Sequence, residues 1–172
     1  MVLTLLRHTR VDVAPGTCYG VSDVALAASF VREVDALLPG LPEVDLVLTS
    51  PLSRCRRLAE RIATHVIRPL SEDDRIREMD FGRWEGRLWN EIPRAEIDAW
   101  AADFLHARPH GGESVAMLRA RALDALRDHR NNDGHTLIVT HAGVIKAALA
   151  AEETAAGYAM GIDFGGFVTL IY

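Results

Sequence analysis

Residues 4–10 read TLLRHTR, an apolar run that ends on an arginine, a histidine and a threonine. Together with Val2 and Leu3 it is short, continuous and apolar, which predicts a buried strand over 2–6. Far downstream TLIVTHAGVIKA, residues 136–147, repeats the arrangement: a strand over 135–140 runs into His141, and a helix follows over 141–151. VDLVLTS at 44–50 is a third run of this kind and ends on Ser50. Between the runs the apolar spacing is helical, at 25–38, from Pro51 to about Val66, at 91–107 and at 114–130. Strands alternating with helices predict an α/β fold, a three-layer sandwich with a mainly parallel sheet.

The connections fit this plan. Pro15, Gly16 and Gly20 mark 11–24 as a loop, and PGLP closes the helix at 25–38. Ser50 reads as an N-cap with Pro51 at the first helical position. VIRPL at 66–70 reads as a short strand, and EMDFGRWEG at 78–86 as a turn-rich loop. RPHGGES breaks the chain at 108–114, and NNDG at 131–134 turns it into the last long strand. Residues 160–172 read as one or two terminal strands around Gly165 and Gly166. A single domain over 1–172 is expected, with 84–110 (Trp84, Trp89, Trp100, Phe104) as a small helical cover over a site.

Composition narrows the function. Apolar residues make up 49% and charged residues 25%, as in an ordinary globule. A formal charge of −5 speaks against a nucleic-acid binder but leaves room for an anionic ligand held by local arginines. Cys18 and Cys55 are too few for a disulfide framework or a structural zinc site. No basic segment precedes the first apolar residues, and no apolar run approaches the roughly 20 residues of a membrane span. A soluble, cytoplasmic protein without membrane contact is the expectation.

Ligands of an open α/β sheet bind beyond the carboxyl ends of its strands, so Arg7-His8, Ser50 and His141 should gather on one edge. TSPLSRCRR at 49–57 puts arginines in the first turn after a strand, where free backbone N–H groups and the helix dipole favour an anion. Arg57 and Arg61 read as a solvated face; helical periodicity leaves both Arg54 and Arg56 open. Glu78 and Asp80 lie on a glycine-containing loop.

These residues resemble the histidine phosphatases, also called the phosphoglycerate mutase-like superfamily. The signature Arg-His-Gly appears here as Arg7-His8-Thr9, and Ser-x-x-x-Arg-Ala is similar to SPLSRC, which selects Arg54 over Arg56. EMDFGRWEG selects Glu78, THAG selects His141, and GGES at 111–114 also fits, so the resemblance spans nearly the whole chain. Within the family, HTRVDVAPGTCYGVSDVAL at 8–26 looks most like the phosphatases of cobalamin biosynthesis that act on α-ribazole 5′-phosphate.

The resemblance implies a phosphoglycerate mutase-like fold and a hydrolase of small phosphomonoesters that needs no metal or cofactor. Arg7 and Arg54 would present planar donor forks to the phosphoryl oxygens. His8 would attack phosphorus and become phosphohistidine, with His141 donating to the equatorial oxygens and Glu78 protonating the leaving alkoxide before activating water. Substrate contacts are expected from Arg7, Thr9, Tyr19, Arg54, Glu78, His141 and Ala142. The chain is compatible with a homodimer. Thr9 replaces the signature glycine, and as a β-branched residue it should keep an ordinary backbone. Leu58, where many relatives carry threonine, reads as a core contact. The rival readings are a broad phosphomonoesterase or phosphoglycerate mutase, a metallohydrolase built on His8, His141 and a carboxylate, and a non-catalytic phosphate-binding module.

Overall fold

The computed structural model describes residues 2–130 and 134–172. Five strands, β1 (Val2–Arg7), β2 (Leu46–Thr49), β3 (Leu70–Glu72), β4 (His135–Thr140) and β5 (Phe167–Ile171), form one sheet in the order β3-β2-β4-β1-β5. β1, β2, β3 and β4 run parallel, and β5 joins the edge antiparallel to β1. The helices are α1 (Phe30–Leu37), α2 (Ser53–Val66), α3 (Arg94–Ala102), α4 (Val115–Arg130) and α5 (Ala142–Leu149).

Side chains alternate across a strand, so each face of the sheet builds its own core. Leu3 and Leu5 of β1, Leu48 of β2 and Ile138 of β4 pack against Leu118, Ala122, Leu126, Val144 and Ile145 of α4 and α5. Leu6, Val47, Leu137 and Val139 face the other way, against Val34 of α1 and Cys55, Leu58 and Ile62 of α2. This is the expected three-layer arrangement, and Leu58 is the expected core contact. Burying a side chain of this kind contributes roughly 1.5–3 kcal/mol.

Several expected boundaries move. The helix expected from 25 starts at Phe30, because 25–27 instead pairs with the loop after His8: the Asp12 amide donates to the Ala25 carbonyl (2.8 Å) and the Ala27 amide to the Arg10 carbonyl (3.1 Å). The N-cap of α2 is Leu52 rather than Ser50, whose hydroxyl is occupied elsewhere. The strand expected at 66–70 begins only at Leu70, since α2 runs to Val66 and stops on Ile67 in the left-handed region (φ 53°). α3 is shorter than 91–107 because Pro93 biases the residue before it away from the helical region. The C-terminus forms one strand, entered through Gly165 at φ 71°. The NNDG turn lies outside the described residues except for Gly134. No helix among the described residues is long and apolar enough to cross a membrane.

Candidate active site

β1 and β4 are neighbours with Arg7 opposite Thr140, so the residues that follow both strands leave the sheet together. The His8 amide donates to the Thr140 carbonyl (3.0 Å), and the rings of His8 and His141 stand 5.3 Å apart, edge to face. β2 lies on the other side of β4 and delivers Ser50, whose amide donates to the Val139 carbonyl (3.0 Å). Thus three adjacent parallel strands end in His8, His141 and Ser50.

His8 is almost wholly buried, and its Nδ1 lies 2.7 Å from the Thr9 carbonyl oxygen. A carbonyl can only accept, so Nδ1 carries the proton and Nε2 keeps its lone pair. Burial lowers the pKa of His8 to about 3; Arg54 and Arg7 add to the shift and outweigh the opposing Thr9 hydrogen bond. Thr9 keeps a negative φ as expected, and its hydroxyl is buried without a hydrogen-bond partner among the described residues.

Arg54 points into the domain from the first turn of α2 and is fully buried, whereas Arg56 is exposed and pairs with Glu60 and Glu72. The Arg54 Nη1 donates to the Ser22 carbonyl (2.8 Å) and its Nη2 to the Gly20 carbonyl (2.5 Å), while its Nε has no partner among the described residues. Tyr19 lies with its ring 5.4 Å from the Arg54 guanidinium. Arg7 donates from Nη1 to the Ile162 carbonyl (2.5 Å), stacks on Phe164 at 3.8 Å, and leaves its Nε without a partner among the described residues. Two guanidinium groups with donors to spare therefore flank one neutral imidazole.

His141 is fully buried, and burial followed by the fields of Arg54 and His8 drives its pKa well below the ordinary value. Its Nε2 lies 2.8 Å from the Ser50 hydroxyl and 3.4 Å from Cys55 Sγ. His141 is also the N-cap of α5, so Ala142 sits in a first turn whose amides lack intrahelical partners. The Gly143 amide is taken by Glu78: Oε2 accepts from it at 3.0 Å, and Oε1 accepts from the Met79 amide at 2.9 Å. A β-carbon at Gly143 would lie 2.1 Å from Glu78 Oε1, so this approach requires glycine.

Two carboxylates hold the site in shape: Glu85, which the sequence does not single out, and Glu113 of the GGES segment. Glu85 accepts from the amides of Val21 (3.0 Å), Ser22 (2.8 Å) and Phe81 (3.0 Å) and from the Ser22 hydroxyl, fixing the loop whose carbonyls hold Arg54. Burial alone would raise its pKa, but the Ser22 hydroxyl and the three amides outweigh this and lower it. Glu113 forms a two-pronged pair with Arg121, which also donates to the carbonyls of Arg75, Arg77 and Glu78 and so clamps the loop carrying Glu78. Ser50, expected both as a helix cap and at this sheet edge, stands at the edge with its hydroxyl against His141, and no sequence signal distinguishes Phe164.

Trp84, one of the aromatics of the expected 84–110 cover, packs in the core: it is fully buried with Cys18 and Ile92, and its indole N–H donates to Glu96 (2.6 Å). Trp100 and Phe104 do line a cavity of about 290 Å³ that opens from Glu78, Ala142 and Gly143. Among the described residues no three His, Cys, Asp or Glu side chains come together as a metal-ligand set.

Residues 3–162 match the family model of the histidine phosphatase superfamily (branch 1). The chain is 31% identical to the glucosyl-3-phosphoglycerate phosphatase of Mycolicibacterium vanbaalenii over 87% of its own length and 72% of that protein. It is 27% identical to phosphoserine phosphatase 1 of Hydrogenobacter thermophilus over 96% of its own length and 79% of that protein. Among solved structures, the alpha-ribazole phosphatase from Shigella flexneri superposes with a TM-score of 0.83 at 26% identity, covering 98% of this chain and 89% of that one.

Proposed function

The chain belongs to the histidine phosphatase superfamily and is a phosphomonoester hydrolase, and from that premise we propose that it works through a phosphohistidine on His8, with α-ribazole 5′-phosphate as its substrate. The observation that carries the first part is the tautomer of His8: Nδ1–H is held by the Thr9 carbonyl, so Nε2 keeps its lone pair, on a ring that feels the fields of both Arg54 and Arg7. The substrate phosphoryl group would take up the remaining donors of Arg7 and Arg54. Nε2 then forms the P–N bond while the ester P–O bond breaks, and the departing oxygen takes the proton of the Glu78 carboxyl group. His141, with Ser50 behind it and the first turn of α5 beside it, stabilises the equatorial oxygens. Water next attacks phosphorus, Glu78 takes its proton, the P–N bond breaks, and phosphate leaves with His8 neutral again. No step passes through a metal, so activity is expected to survive a strong chelator.

The finer assignment rests on two supports. The 8–26 loop is worded like that of the α-ribazole phosphatases, and the cavity beyond Glu78 is walled by Met79, Trp100, Phe104, Leu118 and Tyr158, surfaces suited to a flat apolar base. Residues 84–110 would then cover the leaving group, with Trp100 and Phe104 as the contacting side chains. Relatives named for phosphoserine and glucosyl-3-phosphoglycerate match at similar identity, so those esters are the proper competitors. We expect kcat/KM for α-ribazole 5′-phosphate to exceed that for phosphoserine, glucosyl-3-phosphoglycerate and p-nitrophenyl phosphate, because remote binding energy lowers the barrier. Equal values across the four would leave a broad-specificity hydrolase, and a preference for either competitor would replace the assignment.

A further inference from the structure

Lys146 is the only lysine in the chain; every other basic side chain, histidines aside, is an arginine. It sits on α5 three residues after Gly143, one helical turn along the face that meets Glu78, and it lines the cavity that opens from Glu78. The rest of that wall is almost wholly apolar. The Lys146 side chain is half-buried there and has no carboxylate partner among the described residues. Two other polar groups of the wall, the Tyr158 hydroxyl and the Trp100 indole N–H, are buried without hydrogen-bond partners among the described residues. A half-buried ammonium beside apolar walls gains from a hydrogen-bond acceptor, and no carboxylate among the described residues supplies one.

We propose that this cavity is the leaving-group subsite and that Lys146 is its specificity-determining residue, donating to a hydrogen-bond acceptor on the departing alcohol. The assignment rests on the phosphomonoester hydrolase reading above. A lysine suits the task because its compact ammonium on a flexible stem can meet acceptors at several positions. The acceptor is a neutral ring nitrogen or hydroxyl, as a nucleoside offers, or a carboxylate; the shared chemistry is acceptance from one ammonium. The aromatic walls set the shape of the alcohol, and Lys146 sets what it must carry.

The test compares wild type with Lys146→Met on three esters: phenyl phosphate, which carries no acceptor on its leaving group, 4-carboxyphenyl phosphate, and α-ribazole 5′-phosphate. A hydrogen bond to a charged group corresponds to roughly 10- to 100-fold in kcat/KM. The ratio of an acceptor-bearing ester to phenyl phosphate should fall by that factor in Lys146→Met and recover in part in Lys146→Arg. A fall confined to the carboxylate or to the nucleoside supports the assignment and identifies the acceptor. A second readout needs no turnover. Reductive methylation can reach one lysine side chain, so mass spectrometry of its peptide reports Lys146 directly. 4-Hydroxybenzoate or α-ribazole should slow that modification, and phenol should not. Unaltered ratios, or equal methylation rates with all three alcohols, overturn the assignment. Failure of wild type to turn over any ester would contradict the hydrolase reading instead, and the protection experiment would still decide the subsite.

Discussion

A histidine buried at a strand end loses its hydration, and at His8 two guanidinium groups deepen the loss. The folded protein therefore holds His8 neutral down to about pH 3, whereas in the unfolded chain it protonates near its ordinary value of 6.5. Between those values the unfolded state binds more protons, so the unfolding free energy rises with pH across the window and is lost as pH falls through it. His141 is shifted the same way, and the lowered carboxylates Glu85 and Asp73 add losses at still lower pH. The melting temperature should decline steadily from pH 6.5 to pH 4, and His8→Asn should decline less steeply; a wild-type value flat over that range would contradict the neutral, buried pair. Glu78 answers to a different probe. Glu78→Gln keeps the shape but has no proton to give, so alkyl phosphates should lose about 10²- to 10⁴-fold in kcat while p-nitrophenyl phosphate, with its good leaving group, loses far less. Equal losses on both would make Glu78 a structural residue.

At the level of elements, the apolar runs around Leu5, Leu48 and Ile138 were legible because buried parallel strands carry a continuous signal, and the residues after them followed from that. The helix starts were less legible. Ser50 has the right chemistry for a cap, but its hydroxyl serves His141, and the cap falls two residues later at Leu52. Arg54 and Arg56 could not be separated by periodicity, since both lie in the same first turn and only the packing of the loop at 20–22 selects one. The cavity was illegible because its walls come from five separate segments, and a lone lysine in α5 looks like any helix surface residue. Ile67 is the clearest local conflict: a β-branched residue in the left-handed region, largely exposed, ending α2. Ile67→Gly should relieve about 1–2 kcal/mol of backbone strain against about 0.5–1 kcal/mol of added chain entropy. The melting temperature should therefore rise by a few degrees with activity unchanged, and a fall would mean that the Ile67 side chain contributes more than its exposure suggests.

Across the whole molecule, one sheet edge gathers the groups of the proposed phosphoryl transfer: His8 and His141 from neighbouring strands, Arg7 beside the first, Arg54 from the helix after β2, and Glu78 brought in by α5 and the Arg121 clamp. Two buried imidazoles, the buried Arg54 guanidinium and the partly buried Arg7 make poor core material, and the proposed binding of a dianionic phosphomonoester would give this costly cluster a purpose. The most direct measurement is to mix the protein with a ³²P-labelled phosphomonoester, quench rapidly without acid, and map the label by mass spectrometry. Label should appear on His8 as an acid-labile, alkali-stable phosphoramidate and should be absent from His8→Ala, which should also be inactive. Label on a serine, or turnover by His8→Ala at the wild-type rate, would contradict nucleophilic attack by His8.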